Sequence, residues 1–221
     1  MNKRNFKKYL LPEEALRNKG TEPALTAPEG RRAQLMKLKK EDVEVIGDKA
    51  YRNGYDYLPR WRACAPTVFA AVMDAAGYND DPVAQEIWKA VIGLTGGTGN
   101  MSVGTCGAMA GAAAAVSYSF NYSMEDLRDI TKMLAVNSAV AEIGGKMKSR
   151  YGDITCQEVQ FKNWGKSFRL ADSRGLKEFA AFTGGDDPKT ECREVTGTLA
   201  RWAVEVIITY NPDFIKIQTS S

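Results

Sequence analysis

Beyond residue 60, apolar positions recur at steps of three and four, the spacing of one helix face. Pro66 sits where the first helical turn tolerates a missing N–H, and Val68, Phe69, Val72 and Met73 carry that helix to Gly77, a natural stop. Asp81-Pro82 gives a second start, with Val83, Ile87, Val91 and Leu94 as its stripe. Ser123 with Asp126 reads as a capping box for a long helix striped by Met133, Val136, Val140, Ile143 and Met147, and Gly144-Gly145 is expected to fray or bend it. A last helix starts at Asp187-Pro188, carries Cys192, Val195, Leu199, Trp202 and Val206 on one stripe, and halts at Asn211-Pro212. Strand signals are scarce. The best is Val43 to Ile46, while Ile207 to Thr209 fits the end of the last helix. The pattern predicts an all-α fold: a compact helical bundle in which a Gly-rich loop leads into an Ala-rich central helix.

Charge separates the beginning of the chain from the rest. Residues 1–40 hold eleven Lys/Arg against four Asp/Glu, a balance of +7 inside an overall +3. Pro12, Gly20, Pro23, Pro28 and Gly30 break this segment, so it is expected to be an extended basic arm with one short helix around Glu13 to Arg17. The expected organisation is an arm over 1–59, a helical domain over 60–211 and a tail over 212–221. The arm offers a route to a homodimer or a larger complex, and no nucleic-acid-binding module accompanies its charge. The aromatic and basic run Tyr51 to Arg62 is expected to pack the arm onto the domain or to cover a pocket.

No window holds 18 consecutive apolar residues, so no membrane span is expected. Charges and Pro12 stand where a secretory leader would be apolar, and Lys37, Lys39 and Lys40 follow Arg31-Arg32 where a twin-arginine signal needs an apolar stretch. A cytoplasmic location is the expectation.

The 221 residues include no histidine, which removes His-assisted triads, His zinc sites, His-ligated haem and the usual near-neutral proton shuttle. The remaining metal or redox chemistry belongs to carboxylate, Tyr, Lys and four cysteines: Cys64, Cys106, Cys156 and Cys192. Their intervals of 42, 50 and 36 residues contain no CxxC, so any cluster must be assembled by the fold. Glu125, Asp126 and Asp129 read as a solvated first turn, and Asp186-Asp187 as caps.

The densest segment runs from Gly93 to Gly111 and includes Gly97, Gly99, Gly104 and Gly107. It lacks the Lys of a phosphate-binding P-loop and the spacing of a dinucleotide fingerprint. Its glycines permit left-handed backbone and close approach, which suits a crowded centre with Cys106 at a helix start. Each of the other cysteines also falls near an expected helix start. Unpaired N–H groups there favour negative charge, so these thiols are expected to ionise readily.

The order Cys64-Ala65, then Cys106-Gly107-Ala108-Met109-Ala110-Gly111 behind a Gly-rich lead, then Tyr151 through Cys156-Gln-Glu-Val, then Cys192 resembles the redox-active protein family named for a C, GCAxxG, C, C cysteine pattern. The likeness covers roughly residues 60–210, with glycine following the central cysteine where the family name puts it before. It implies a helical domain whose four cysteines act together, in redox chemistry or in holding a metal centre, with an unidentified redox partner protein. The family is also distantly similar to split-Soret cytochromes, which pair as dimers. This chain has neither CxxCH nor His, so no haem is carried over.

Three functions follow as expectations. In the first, Cys64, Cys106, Cys156 and Cys192 ligate an iron-sulfur or other metal centre for electron transfer, with Gly97, Gly99, Gly104 and Gly107 shaping the loop around it. In the second, Cys106 attacks in thiol/disulfide exchange and another cysteine resolves. In the third, the cysteines are buried and inert in a non-catalytic scaffold or accessory subunit.

Overall fold

The computed structural model describes residues 38, 40–184 and 191–216. Eight α-helices lie among them: α1 (Lys40–Trp61), α2 (Cys64–Ala76), α3 (Pro82–Ala90), α4 (Gly107–Ser119), α5 (Ile130–Tyr151), α6 (Cys156–Trp164), α7 (Ser173–Thr183) and α8 (Glu191–Tyr210). The fold is all-α, and the β-type pairing among the described residues is one isolated antiparallel bridge, Thr105 with Thr155. No helix of the described residues is long and apolar enough to cross a membrane.

The local signals of the sequence act through identifiable bonds. Gly77 closes α2 in a left-handed cap (φ +89°), where its N–H bonds Asp74 O and that of Tyr78 bonds Met73 O. Asp81 caps α3 by accepting from Ala84 N at 2.8 Å, with Pro82 in the first turn.

Five expectations change. Val43 to Ile46 is helical, inside α1, because the face that α1 buries is a stripe of small residues, Gly47, Ala50 and Gly54, which an apolar periodicity does not register. Residues 40–59 therefore form a packed helix, where an extended segment was expected. The remainder of the expected arm, with the short helix at Glu13 to Arg17, lies outside the described residues, as do Asp186-Asp187, Pro188 and the end of the tail. The stripe of α3 is rotated, with Val83 exposed and Ala84 buried. Ser123 and Asp126 do form their box, but it closes a short 3-10 turn over Asp126–Arg128. The long helix α5 begins later under the carboxylate of Asp129, and it continues unbroken through Gly144-Gly145.

The buried centre is made by α2, α4 and α8, with α1 lying along α8 and α5 covering α4 and α8. Its largest fully buried side chains include Phe69, Ile143, Met147, Leu199 and Ile207. Close approach is enforced by missing side chains. A Cβ on Gly54 would lie 2.7 Å from Thr196 O, and one on Gly197 would lie 2.8 Å from Tyr51 O. A Cβ on Gly111 would collide with Ala65 O, so α4 crosses α2 almost backbone to backbone. Tyr57 fixes α1 to α2 by donating to Asp74 Oδ2 at 2.6 Å, and Trp61 leans edge-on to Trp88 at 5.6 Å. The run Tyr51 to Arg62 thus packs α1 onto the body and also forms one wall of a groove of about 350 Å³ bordered by Trp61, Met73, Asp74 and Trp88.

Gly54→Ala is expected to lower stability by about 1–3 kcal/mol, since the α1–α8 crossing must open. Gly145→Ala, at an exposed helical position with nothing within 4 Å of the new methyl, is expected to raise it by about 0.5–1 kcal/mol. Urea denaturation of the two variants checks both signs.

Candidate functional site

Each cysteine stands at the start of a helix. Cys64 and Cys156 are the first residues of α2 and α6, Cys106 is the N-cap of α4, and Cys192 is the second residue of α8. Because α2, α4 and α8 pack against one another, segments far apart in sequence reach one region.

The Gly-rich loop joins these pieces. Gly96 N–H donates to Cys64 Sγ at 3.5 Å. A Cβ on Gly107 would land on that same sulfur, and one on Gly97 would come within 2.8 Å of Cys156 Cβ. Gly104 is equally constrained, with its own Cβ position 2.9 Å from Gly97 O, whereas Gly99 is needed for its left-handed backbone (φ +58°). Three non-glycine residues, Thr98, Asn100 and Ser102, also have φ near +60°. The loop is held there from behind: Cys106 N–H bonds Ile154 O at 2.7 Å, Cys156 N–H bonds Gly104 O at 3.0 Å and Gln157 N–H bonds Ser102 O at 2.8 Å.

Cys106 is the thiol that senses the other three. Charge on Cys64, Cys156 or Cys192 raises the pKa of Cys106, and charge on Cys64 raises that of Cys156. Cys106 and Cys156 are buried, while Cys64 and Cys192 are partly so. Burial dominates their acidity. It pushes Cys64 up despite the N–H groups of Gly96, Ala65 and Gly107, holds Cys106 well above the ordinary range, and raises Cys156 to about 11 even though Gln160 lowers it. The expectation that helix starts make these thiols ionise readily is therefore overturned for Cys64, Cys106 and Cys156 in the protein alone, because loss of water around the sulfur outweighs the helix-end field. Among the described residues, no group of three or more His, Cys, Asp or Glu is placed to hold a metal ion. A mononuclear zinc site with bonds of about 2.3 Å would need its sulfurs roughly 3.8 Å apart.

The acidic residues set aside from the sequence serve as caps and surface partners: Asp126 pairs with Lys132 and Asp129 caps α5. Several groups at the site escaped the sequence reading. Gln160 Nε2 donates to Cys156 Sγ at 3.2 Å, a contact that the i, i+4 spacing within a helix could have suggested. The Thr95 hydroxyl is buried with no hydrogen-bond partner, and the buried Tyr151 hydroxyl has Thr198 as its hydrogen-bonding neighbour. Thr95 Cα lies 3.1 Å from the Cβ position of Gly107, and Tyr151 is near enough to Cys106 to feel its charge. Nothing in the local sequence marks those two.

The acidity shifts fix a pH window. A thiol whose pKa is higher in the folded protein than in the unfolded chain contributes its full stability below the unfolded value and loses it as the pH climbs to the folded one. For Cys156 that window runs from the ordinary 9.0 to about 11. Reduced, metal-free protein is expected to lose about 2–3 kcal/mol there from this residue alone, as measured by denaturant melts at stepped pH.

Comparison with known proteins gives one match. The family model described as "Putative redox-active protein (C_GCAxxG_C_C)" matches residues 62–206. Searches of curated proteins and of solved structures found no match.

Proposed function

The chain belongs to this redox-active family, and from that premise we propose that Cys64, Cys106, Cys156 and Cys192 jointly hold an iron-sulfur cluster used for electron transfer. The observation that carries the reading is that Cys106 feels the charge of Cys64, Cys156 and Cys192, which come from three other helices. A disulfide needs two sulfurs, whereas a cluster takes four.

The donor set and its surroundings fit such a group. Desolvated thiols that repel one another when charged gain most from a cationic core that accepts them as thiolates. Backbone N–H groups from Gly96, Ala65 and Gly107 already act on Cys64, and the same donors would stabilise a cluster's negative charge. The partnerless hydroxyl of Thr95, beside Gly107, supports a further polar contact there. When bound, a cluster supplies one-electron transfer at a potential set by its protein surroundings. This chain's own part is to exclude water with the Gly-rich loop and α4, to fix the sulfurs, and to provide N–H donors.

A second reading has its own support. Cys64 is the thiol that most strongly affects Cys106, which makes that pair the natural couple for thiol/disulfide exchange. Its weakness is that a thiol held so far above the ordinary range is a poor nucleophile near neutral pH.

Protein prepared without oxygen, or reconstituted with iron and sulfide, is expected to contain both in near-equal amounts and to absorb in the visible. Cys106→Ser is expected to lose most of the colour and bound iron. Metal-free protein that gains two titratable thiols on reduction would support exchange instead. A thiol count unchanged by reductant and completed only by denaturation would leave a scaffold with inert cysteines.

A further inference from the structure

Gln160 lies one helical turn after Cys156 and is 4% exposed. Its Oε1 accepts from Phe168 N–H at 2.8 Å, and its Nε2 donates to Cys156 Sγ at 3.2 Å. A backbone N–H can only donate, so the carboxamide oxygen must face Phe168 and the nitrogen must face the sulfur. Neither end can turn without stranding a buried polar group, which fixes the side chain's orientation.

The anchor is itself held. Ser102 Oγ donates to Phe168 O at 2.5 Å, and Ser102 O accepts from Gln157 N–H at 2.8 Å, which returns the chain of bonds to the first turn of α6. Phe168 also sits among Trp164, Phe179 and Phe182, with ring centroids 5.3–6.2 Å away. Gln160 is therefore clamped between an aromatic cluster and a cysteine.

We propose that Gln160 is a positioning residue that sets the redox potential of the cysteine centre, by holding a fixed N–H donor on Cys156 Sγ wherever that sulfur carries negative charge. The inference rests on the cluster reading above, in which Cys156 is a ligand. A reduced cluster carries one more negative charge than its oxidised form, so an N–H donor on a ligating sulfur favours the reduced state and its removal lowers the potential.

Two variants separate donation from anchoring. Gln160→Glu retains an oxygen for Phe168 N–H and keeps the side chain's shape, but at about pH 8 it turns a carboxylate oxygen toward the sulfur. Gln160→Met removes both bonds. Each is expected to shift the reduced-to-oxidised ratio at fixed potential tenfold or more toward oxidised, with Gln160→Glu shifting it further. Tenfold corresponds to about 59 mV for a one-electron couple, read by spectroelectrochemical titration of reconstituted protein.

The alkylation rate of Cys156 in metal-free, reduced protein, assigned by peptide mass mapping, is the companion measurement. It is expected to fall several-fold in both variants. A purely structural Gln160 would leave Gln160→Glu close to the parent in potential and alkylation, and that result overturns the proposal. If Gln160→Met fails to fold, Gln160→Glu alone decides. If the parent protein shows no redox couple at its cysteines, the reading of the previous section fails, and the alkylation ratio then decides the role of Gln160 separately.

Discussion

Everything at this site depends on the removal of water from sulfur by parts of the chain that have almost no side chain. Gly107 leaves room for Cys64 Sγ, Gly97 leaves room for Cys156, and Gly111 lets α4 press against the backbone of α2. A methyl group at any of these positions would occupy space that sulfur or a carbonyl already fills. The resulting dryness raises the thiols' pKa values and makes each N–H that reaches a sulfur count for more than it would in solvent. The Ala-rich face of α4 is the means by which a small domain brings several helix starts into one polar, enclosed centre.

Two opposing effects act on the sulfurs of Cys64, Cys106 and Cys156. Amide donors from the backbone and from Gln160 favour thiolate, while burial, joined at Cys106 and Cys156 by neighbouring thiols, favours the neutral form and prevails. A positively charged occupant would reverse that outcome without any change of fold, because it supplies the countercharge that the chain itself lacks. The absence of histidine accords with this chemistry, since a centre of thiols alone takes its acidity entirely from solvation, neighbouring charge and amide donors.

Much of this was legible in the sequence, and the failures have physical causes. The start at Asp81-Pro82 and the stop at Gly77 were readable because each acts through local bonds, and the start near Pro66 because proline fits the first helical turn. The position of the cysteines near helix starts was readable from these and similar proline, glycine and turn signals. The helix α1 was hidden because Gly47, Ala50 and Gly54 pack through what they lack, and a search for large apolar residues at regular spacing passes over them. Helix α7 went unread although its apolar residues gather on one side, and in the fold Phe179 and Phe182 pack against Trp164 and Phe168. The sign of the thiol shifts was hidden because it depends on tertiary burial, which no local motif encodes. The orientation of Gln160 likewise depends on Phe168, eight residues away across a loop.

Thr98, Asn100 and Ser102 adopt a backbone that costs an ordinary residue roughly 1–2 kcal/mol each. Some of the bonds that hold them there are internal, Asn100 N–H to Thr95 O and Ser102 N–H to Gly96 O, and the rest come from the residues around the start of α6, through Thr105 and Thr155, Gly104 and Cys156, and Ser102 and Gln157. The loop therefore behaves as a cocked spring whose catch lies some fifty residues downstream. Its shape cannot exist in a half-built molecule, so the pocket for sulfur either snaps shut whole or is not there at all.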